Sequence, residues 1–255
     1  MDVNPVAAAG FGRAADAYER SRPSYPPDAV ALLAAELGIG PGATVLDLAA
    51  GTGKLTRLLV EFGAGLVAVE PSAAMRTQFA AVLPSVAVHE GTAERIPLVD
   101  ASVDAVVVAQ AFHWFDAPRA LGEIARVLRA RGGLGLIWNE RDESVPWVAE
   151  LSHVMQWDVR MPYVVGTDFR GVIDASERFT HAERRRFASA QELDRDGLCE
   201  RVSTTSYIAA MEPDERSAVL EAVRELVVDF PERFMLPYVT DVFWCHRSEG
   251  DGASC

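Results

Sequence analysis

The chain has 255 residues, 49% apolar and 24% charged, and 24 Lys and Arg against 37 Asp and Glu leave a net charge of −13. A chain this long buries most of its unfolded surface without disulfide or metal staples, and its negative field repels phosphate backbones, which disfavours a general nucleic-acid partner. Three cysteines (Cys199, Cys245, Cys255) in no CxxC spacing argue against a disulfide framework or a thiolate zinc site and point to a reducing cytoplasm.

Asp2 and Arg13 interrupt the Ala-rich start, so no signal-peptide core is expected there. No uncharged apolar run approaches the roughly 18 residues of a membrane span. From residue 41 onward, strand-like runs alternate with helical spacing. ATVLDLA (43–49) is a first strand, stopped by Gly51 and Gly53; Leu55, Leu58, Leu59 and Phe62 then recur as one face of a helix. GLVAVE (65–70) is a second strand, and Ser72 is placed to cap a helix carrying Met75, Phe79 and Val82. SVAVHE (85–90) is a third strand and VDAVVVAQ (103–110) a fourth, apolar enough to be buried on both faces. Asp116 can cap a helix with Leu121, Ile124, Ala125 and Leu128, which Gly132 and Gly133 are expected to end; GLGLIW (133–138) is a fifth strand. This rhythm predicts a doubly wound, mostly parallel α/β sheet with right-handed crossovers.

After Asn139 the pattern changes. Residues 144–160 read as one helix, 181–188 as a polar alternating strand, 190–211 and 214–229 as helical, and VTDVFWCH (239–246) as a late edge or hairpin strand. The expected organisation is an N-terminal cap over 1–40, one domain over 41–247 with a helical insertion at about 190–229, and a disordered tail at 248–255.

The most informative stretch is VLDLAAGTGKLT (45–56), a strand running through a small-residue turn into a helix. Glycines let the backbone approach a ligand closely, and the following helix presents unpaired N–H groups. A dinucleotide fingerprint needs a third glycine where Thr56 stands. A Walker loop needs glycine at Leu48 and Ser or Thr at Leu55. The pattern D/E-x-x-x-G-x-G of S-adenosylmethionine loops is met by Asp47, Gly51 and Gly53. Glu70, ending the second strand, is placed to accept both hydroxyls of an adenosine ribose; a surface carboxylate at a strand end is the alternative.

With these motifs in order, the chain resembles the class I S-adenosylmethionine-dependent methyltransferases, in the small-molecule group that includes trans-aconitate and ubiquinone/menaquinone-pathway enzymes. VLDLAAGTG resembles the family's first motif, Ala49 included, with Ala50 where Cys is frequent. VAVEPSAAM resembles its ribose-binding segment, through Glu70, Pro71 and Met75. GTAERIPL (91–98) resembles the loop after the third strand, which implies that Ala93 and Glu94 meet the adenine. VDAVVVAQAFHWFD resembles the fourth-strand motif, which implies Gln110 and Ala111 near the methionine end. RVLRARGGLGLI resembles the L-R-P-G-G turn without its proline, and FGRAADAYERSRPSYP resembles a cap segment folding over the cofactor with Tyr18, Arg22 and Tyr25. The resemblance covers residues 10–140, with DVFWCHR resembling the last strand. It implies a seven-stranded Rossmann-like methyltransferase fold and S-adenosyl-L-methionine as cofactor with S-adenosyl-L-homocysteine as product; a monomer or homodimer is expected.

Methyl transfer from a sulfonium is an in-line displacement that needs a held nucleophile, and a base only if the acceptor must lose a proton. His113, just past the fourth strand, is a candidate base or a polar loop residue; Trp114 is a candidate wall of the acceptor pocket or core packing. Tyr18 and Tyr25 are placed to cover the cofactor or to cap the sheet. Arg22 carries a fork suited to a carboxylate or to a surface ion pair. Arg184-Arg185-Arg186 follows Glu183 and reads as a solvated strand face. His89, His153, His181 and His246 lack ligand spacing, so no metal is expected. Gln110-Ala111-Phe112-His113 replaces the NPPY-type motif, against nucleobase or amide acceptors. The acceptor expected is a small molecule offering a carboxylate, hydroxyl or acidic carbon. A non-catalytic S-adenosylmethionine-binding sensor has the same cofactor motifs.

Overall fold

The computed structural model describes residues 21–161 and 168–248. In chain order they form α1 (Pro27–Glu36), β1 (Thr44–Leu48), α2 (Lys54–Leu59), β2 (Gly65–Val69), α3 (Ala73–Val82), β3 (Ala87–His89), β4 (Val103–Ala109), α4 (Ala117–Val127), β5 (Leu128–Arg141), α5 (Pro146–Val154), α6 (Trp157–Arg160), α7 (Phe169–Asp174), β6 (Glu183–Leu193), α8 (Arg195–Ser203), α9 (Ser206–Ala209), α10 (Pro213–Leu226) and β7 (Phe234–His246). Single turns of 3₁₀-helix occupy Val60–Phe62 and Phe112–Trp114.

The strands form one seven-stranded sheet in the order β3-β2-β1-β4-β5-β7-β6, flanked by helices on both sides and mostly parallel, with one antiparallel hairpin. Parallel registers join β1 to β2 and β4, β2 to β3, and β4 to β5. The chain winds one way through β1, β2 and β3 and the other way through β4 and β5. The order therefore reverses between β1 and β4, where an open α/β sheet takes its ligand.

By contacts the chain divides into two units. Among the described residues, the larger holds 25–138, 168–187 and 240–248. Its core follows from period-two alternation: Val45, Ala105, Val107 and Ile137 meet Ala29, Val30, Leu33 and Leu37 of α1 and its C-terminal end, together with Leu55 and Leu59 of α2. Ala68 of β2 packs on Phe79 and Leu83 instead. Burying apolar area at about 25 cal/mol per Å² makes this core the main stabilising term of the unit. The expected caps form: Ser72 Oγ accepts from Met75 N, and Asp116 from Arg119 N.

In the smaller unit (described residues 21–24, 139–161 and 188–239) α10 packs against α5 and α8. Trp147, Phe230 and Phe234 meet edge-to-face with centroids 5.2–5.9 Å apart. Arg195 donates to the carbonyls of Val227, Val228 and Phe230, satisfying backbone groups beyond the end of α10.

Four local expectations are corrected. Gly132 and Gly133 do not end α4, which stops at Val127; they lie inside β5, where the register with β4 shifts between Val103 and Ala105. The helix expected over 144–160 breaks at Gln156, in the left-handed region with φ 53°, giving α5 and α6. The polar strand extends to Leu193, so helix begins only at Arg195, capped by Asp194 Oδ1 accepting from Gly197 N at 2.7 Å. β7 starts at Phe234, and Pro237, unable to donate, accepts from Asp142 N through its carbonyl. Residues 1–20 of the expected cap and 249–255 of the expected tail lie outside the described residues. Within the 1–40 segment, α1 belongs to the core of the larger unit.

Candidate functional site

Backbone strain marks the carboxyl ends of the two central strands. Ala49, following β1, and Gln110, following β4, both have φ of 58°. A residue with a Cβ avoids that region, at a cost of about 1–2 kcal/mol, and such strain clusters where a ligand is held. Between Ala49 and α2, Gly51 (φ 59°) and Gly53 (φ 87°) complete the turn. At Gly53 a Cβ would meet Leu83 Cδ1 at 2.8 Å and the Phe79 ring at 3.0 Å, so the close packing of α3 under the turn also requires glycine.

Glu70 stands one residue past β2 and is 6% exposed. Its Oε2 accepts from Gly51 N at 2.9 Å and its Oε1 from Ser72 N at 2.8 Å, which ties the β1 turn to the start of α3. Each oxygen of an ionised carboxylate has two lone-pair sites, so one per oxygen is left for a ligand hydroxyl. Burial raises the Glu70 pKa, opposed by the Ser72 and Gly51 N–H groups and by the Arg76 charge. Arg76 in turn donates to the carbonyls of Glu70 and Pro71 and pairs with Glu90 at 2.8 Å. Met75 is buried in α3.

Asp47, inside β1, accepts from Thr56 Oγ1 at 2.5 Å through Oδ2, while its buried Oδ1 has no hydrogen-bond partner among the described residues. Burial first, then the Glu70 charge, pushes its pKa up to about 7. A buried acceptor without a donor costs about 1–3 kcal/mol, and here it lies at the turn that offers Gly51 and Gly53.

Past β3, Ala93 is buried and Glu94 Oε1 accepts from Asp116 N at 3.0 Å, joining that loop to the segment after β4. Arg126 of α4 clamps the loop by donating to the carbonyls of Ile96 and Leu98. Past β4, Ala111 leads into the turn carrying His113 and Trp114, whose ring centroids lie 4.3 Å apart. Trp138 of β5 meets His113 edge-on at 5.0 Å and stacks toward Phe169 at 4.9 Å. Desolvation pulls the His113 pKa down to about 3, so the imidazole is neutral at pH 7.

The structure thus gathers Asp47, Ala49, Gly51, Gly53, Glu70, Pro71, Met75, Ala93, Glu94, Gln110, Ala111, His113 and Trp114 around the carboxyl ends of β1 to β4. The donors and acceptors suit an adenosyl ligand: free lone pairs on Glu70 for a ribose, an orphaned acceptor on Asp47, and a glycine turn without side chains. Tyr25 is instead 7% exposed in the core with α1, Arg22 belongs to the smaller unit, where Nη2 donates to Thr204 O at 2.9 Å, and Tyr18 lies outside the described residues. Trp138 was missed because its only sequence signal is an aromatic residue late in a buried strand. Arg184 and Arg186 both pair with buried Asp241, at 2.6 and 3.1 Å, which accounts for two arginines of the basic run. Among the described residues no group of His, Cys, Asp and Glu is arranged to hold a metal, and no helix is long and apolar enough to cross a membrane.

A family model described as a methyltransferase domain matches residues 46–136. An uncharacterized methyltransferase of Mycobacterium tuberculosis is 44% identical over 237 residues, 90% of this chain and 92% of the relative. A demethylmenaquinone methyltransferase of Mycolicibacterium paratuberculosis is 45% identical over 100 residues, 38% of this chain and 42% of its own length. Among solved structures, the phosphoethanolamine N-methyltransferase 2 of Haemonchus contortus, in complex with phosphomonomethylethanolamine and S-adenosylhomocysteine, has a similar fold. Its TM-score is 0.62 at 14% identity, covering 98% of this chain and 61% of that one.

Proposed function

The chain belongs to the class I S-adenosylmethionine-dependent methyltransferases, and from that membership we propose that it binds S-adenosyl-L-methionine at the carboxyl ends of β1, β2 and β4 and methylates a small-molecule acceptor. The observation that carries the reading is the Glu70 carboxylate, held by the N–H groups of Gly51 and Ser72 with lone pairs remaining for a ribose diol. When bound, the cofactor supplies a methyl group on a sulfonium, open to in-line displacement by a nucleophile.

The protein's own contribution is binding, orientation and exclusion of water. Glu70 accepts the ribose hydroxyls; Gly51 and Gly53 let the backbone approach; Ala93 and Glu94 border the adenine; Gln110 and Ala111 stand at the methionine end. Asp47, through the turn that Thr56 holds to it, keeps that backbone in place. His113 and Trp114 border the acceptor. A base with a pKa near 3 removes protons poorly at neutral pH, so His113 serves as a neutral hydrogen-bonding and packing group that orients the acceptor. This favours an acceptor that reacts without losing a proton to the enzyme, such as a carboxylate. The proposal extends to a cytoplasmic monomer or homodimer without a nucleic-acid partner.

S-adenosylhomocysteine is expected to raise the melting temperature and NAD and ATP to leave it unchanged. Glu70→Ala should weaken S-adenosylhomocysteine by about 1–3 kcal/mol, roughly 5- to 150-fold. Equal calorimetric affinity for NAD would overturn the cofactor assignment. Incubation with methyl-labelled cofactor and fractionated metabolites then reports the acceptor.

A further inference from the structure

Among the described residues of the smaller unit, two guanidinium groups form no ion pair with a carboxylate. Arg141 ends β5, and its Nε and Nη2 both donate to one hydroxyl, Ser152 Oγ, at 3.2 and 3.1 Å. Its carbon Cζ lies 4.6 Å from the centre of the Trp157 ring. Arg201, on α8 and 8% exposed, donates through Nε to Tyr238 Oη at 3.2 Å. Among the described residues neither forms an ion pair, and Nη1 of Arg141 with Nη1 and Nη2 of Arg201 find no protein acceptor. None of these three nitrogens is sealed from solvent.

Structural arginines of the same chain are arranged differently. Arg195 spends its donors on three carbonyls, and Arg126 binds two carbonyls and two carboxylates. An enclosed, unpaired charge is unfavourable unless something compensates it, and two such charges of one sign compound the penalty. Guanidinium groups with unused donors are suited to the oxygens of a carboxylate or phosphate.

We infer that Arg141 and Arg201, with the Tyr238 hydroxyl, form a binding site in the smaller unit for the oxyanion group, carboxylate or phosphate, of a small molecule. The inference stands on this unit's own residues and does not depend on the cofactor assignment. Burial first, then repulsion from Arg201, lower the Arg141 pKa, and Tyr238, Tyr207 and the Glu143 carboxylate oppose them only in part. The Tyr238 hydroxyl, accepting from Arg201, keeps its own proton to donate to the anion. Arg141, stacked on Trp157, keeps its guanidinium plane oriented.

The test uses the full chain, titrated with succinate and citrate in one arm and inorganic phosphate in the other, against sodium chloride at matched ionic strength. Thermal shift and calorimetry should show saturable stabilisation in at least one arm. Saturation by the carboxylates alone assigns a carboxylate ligand and by phosphate alone a phosphate ligand, either supporting the site. Arg141→Gln and Arg201→Gln should each weaken that binding about 10- to 100-fold, the scale of a charged hydrogen bond, while S-adenosylhomocysteine affinity stays unchanged. Without anion, Arg141→Gln should melt no lower than the parent, because it removes one of two repelling charges. No saturable effect of any of the three anions on the parent protein, or equal effects on the Arg141→Gln variant, would overturn the inference; the parent titration decides it even if Arg201→Gln fails to fold.

Discussion

Ala49 carries the least ambiguous strain in the protein, since its methyl group can serve no chemistry that would justify a φ of 58°. Replacing it with glycine removes the left-handed penalty, and the added freedom of the unfolded chain offsets part of that gain. Ala49→Gly should therefore stabilise by up to about 1 kcal/mol, read as a higher urea midpoint, with S-adenosylhomocysteine affinity retained. A lower midpoint would mean that Cβ contacts outweigh the strain. His113 makes a second prediction, in pH. Its folded pKa, near 3, lies below the ordinary value of 6.5, so between those values the unfolded state binds the extra proton. The stability it contributes is complete above pH 6.5 and is lost as pH falls toward 3. Urea midpoints measured from pH 7 down to 4.5 should decline, and His113→Gln should flatten that decline. Turnover should show no inflection near 6.5 due to this residue, and His113→Ala should lower it by less than the roughly 10²–10⁴-fold of a lost base. The position of His113 after the fourth strand was legible in the sequence. Its neutrality was not, because Trp138, which packs on it, comes from the next strand.

Between elements, the contact of α1 with β5 is the most demanding. Leu33 of α1 and Leu37 at its C-terminal end reach so close to Gly135 that an added Cβ would overlap Leu33 Cδ1 and lie 2.8 Å from Leu37 Cδ1. Leu33 is fully buried and cannot swing away. Gly135→Ala should destabilise by about 1–3 kcal/mol, the usual range for overpacking. Gly122→Ala, where an added Cβ meets nothing within 4 Å in the middle of α4, should be neutral to stabilising by up to about 1 kcal/mol. Equal melting temperatures for the two variants would contradict the packing described. β1, β2 and β4 were legible from their apolar runs, and α3 and α4 from Ser72 and Asp116. The Gly132-Gly133 pair misled because two glycines mark a helix end and a strand irregularity equally well. Gln156 misled because a polar residue between apolar ones carries no sign of left-handed backbone.

At the scale of the molecule, the charge of −13 and the pairing of Arg184 and Arg186 with Asp241 bear on partners. A gel shift with duplex DNA or tRNA at low micromolar protein should show no complex surviving 0.15 M salt, and a persistent complex would refute that expectation. What the sequence by itself determined is the order of strands and helices from β1 to β5, the Asp47, Gly51 and Gly53 turn, and the carboxylate of Glu70 at the end of the second strand. Those features are local: periodicity, caps and turns are written within a few residues of one another, and a parallel crossover has one hand. What only the tertiary structure decided is the environment of the ionisable groups. The Glu70 oxygens find Gly51 and Ser72, Asp47 is left half-paired, His113 loses its charge, and Arg141 and Arg201 form no ion pair among the described residues. Desolvation and charge compensation depend on atoms brought together from distant parts of the chain, and no local pattern encodes which of those atoms will be missing.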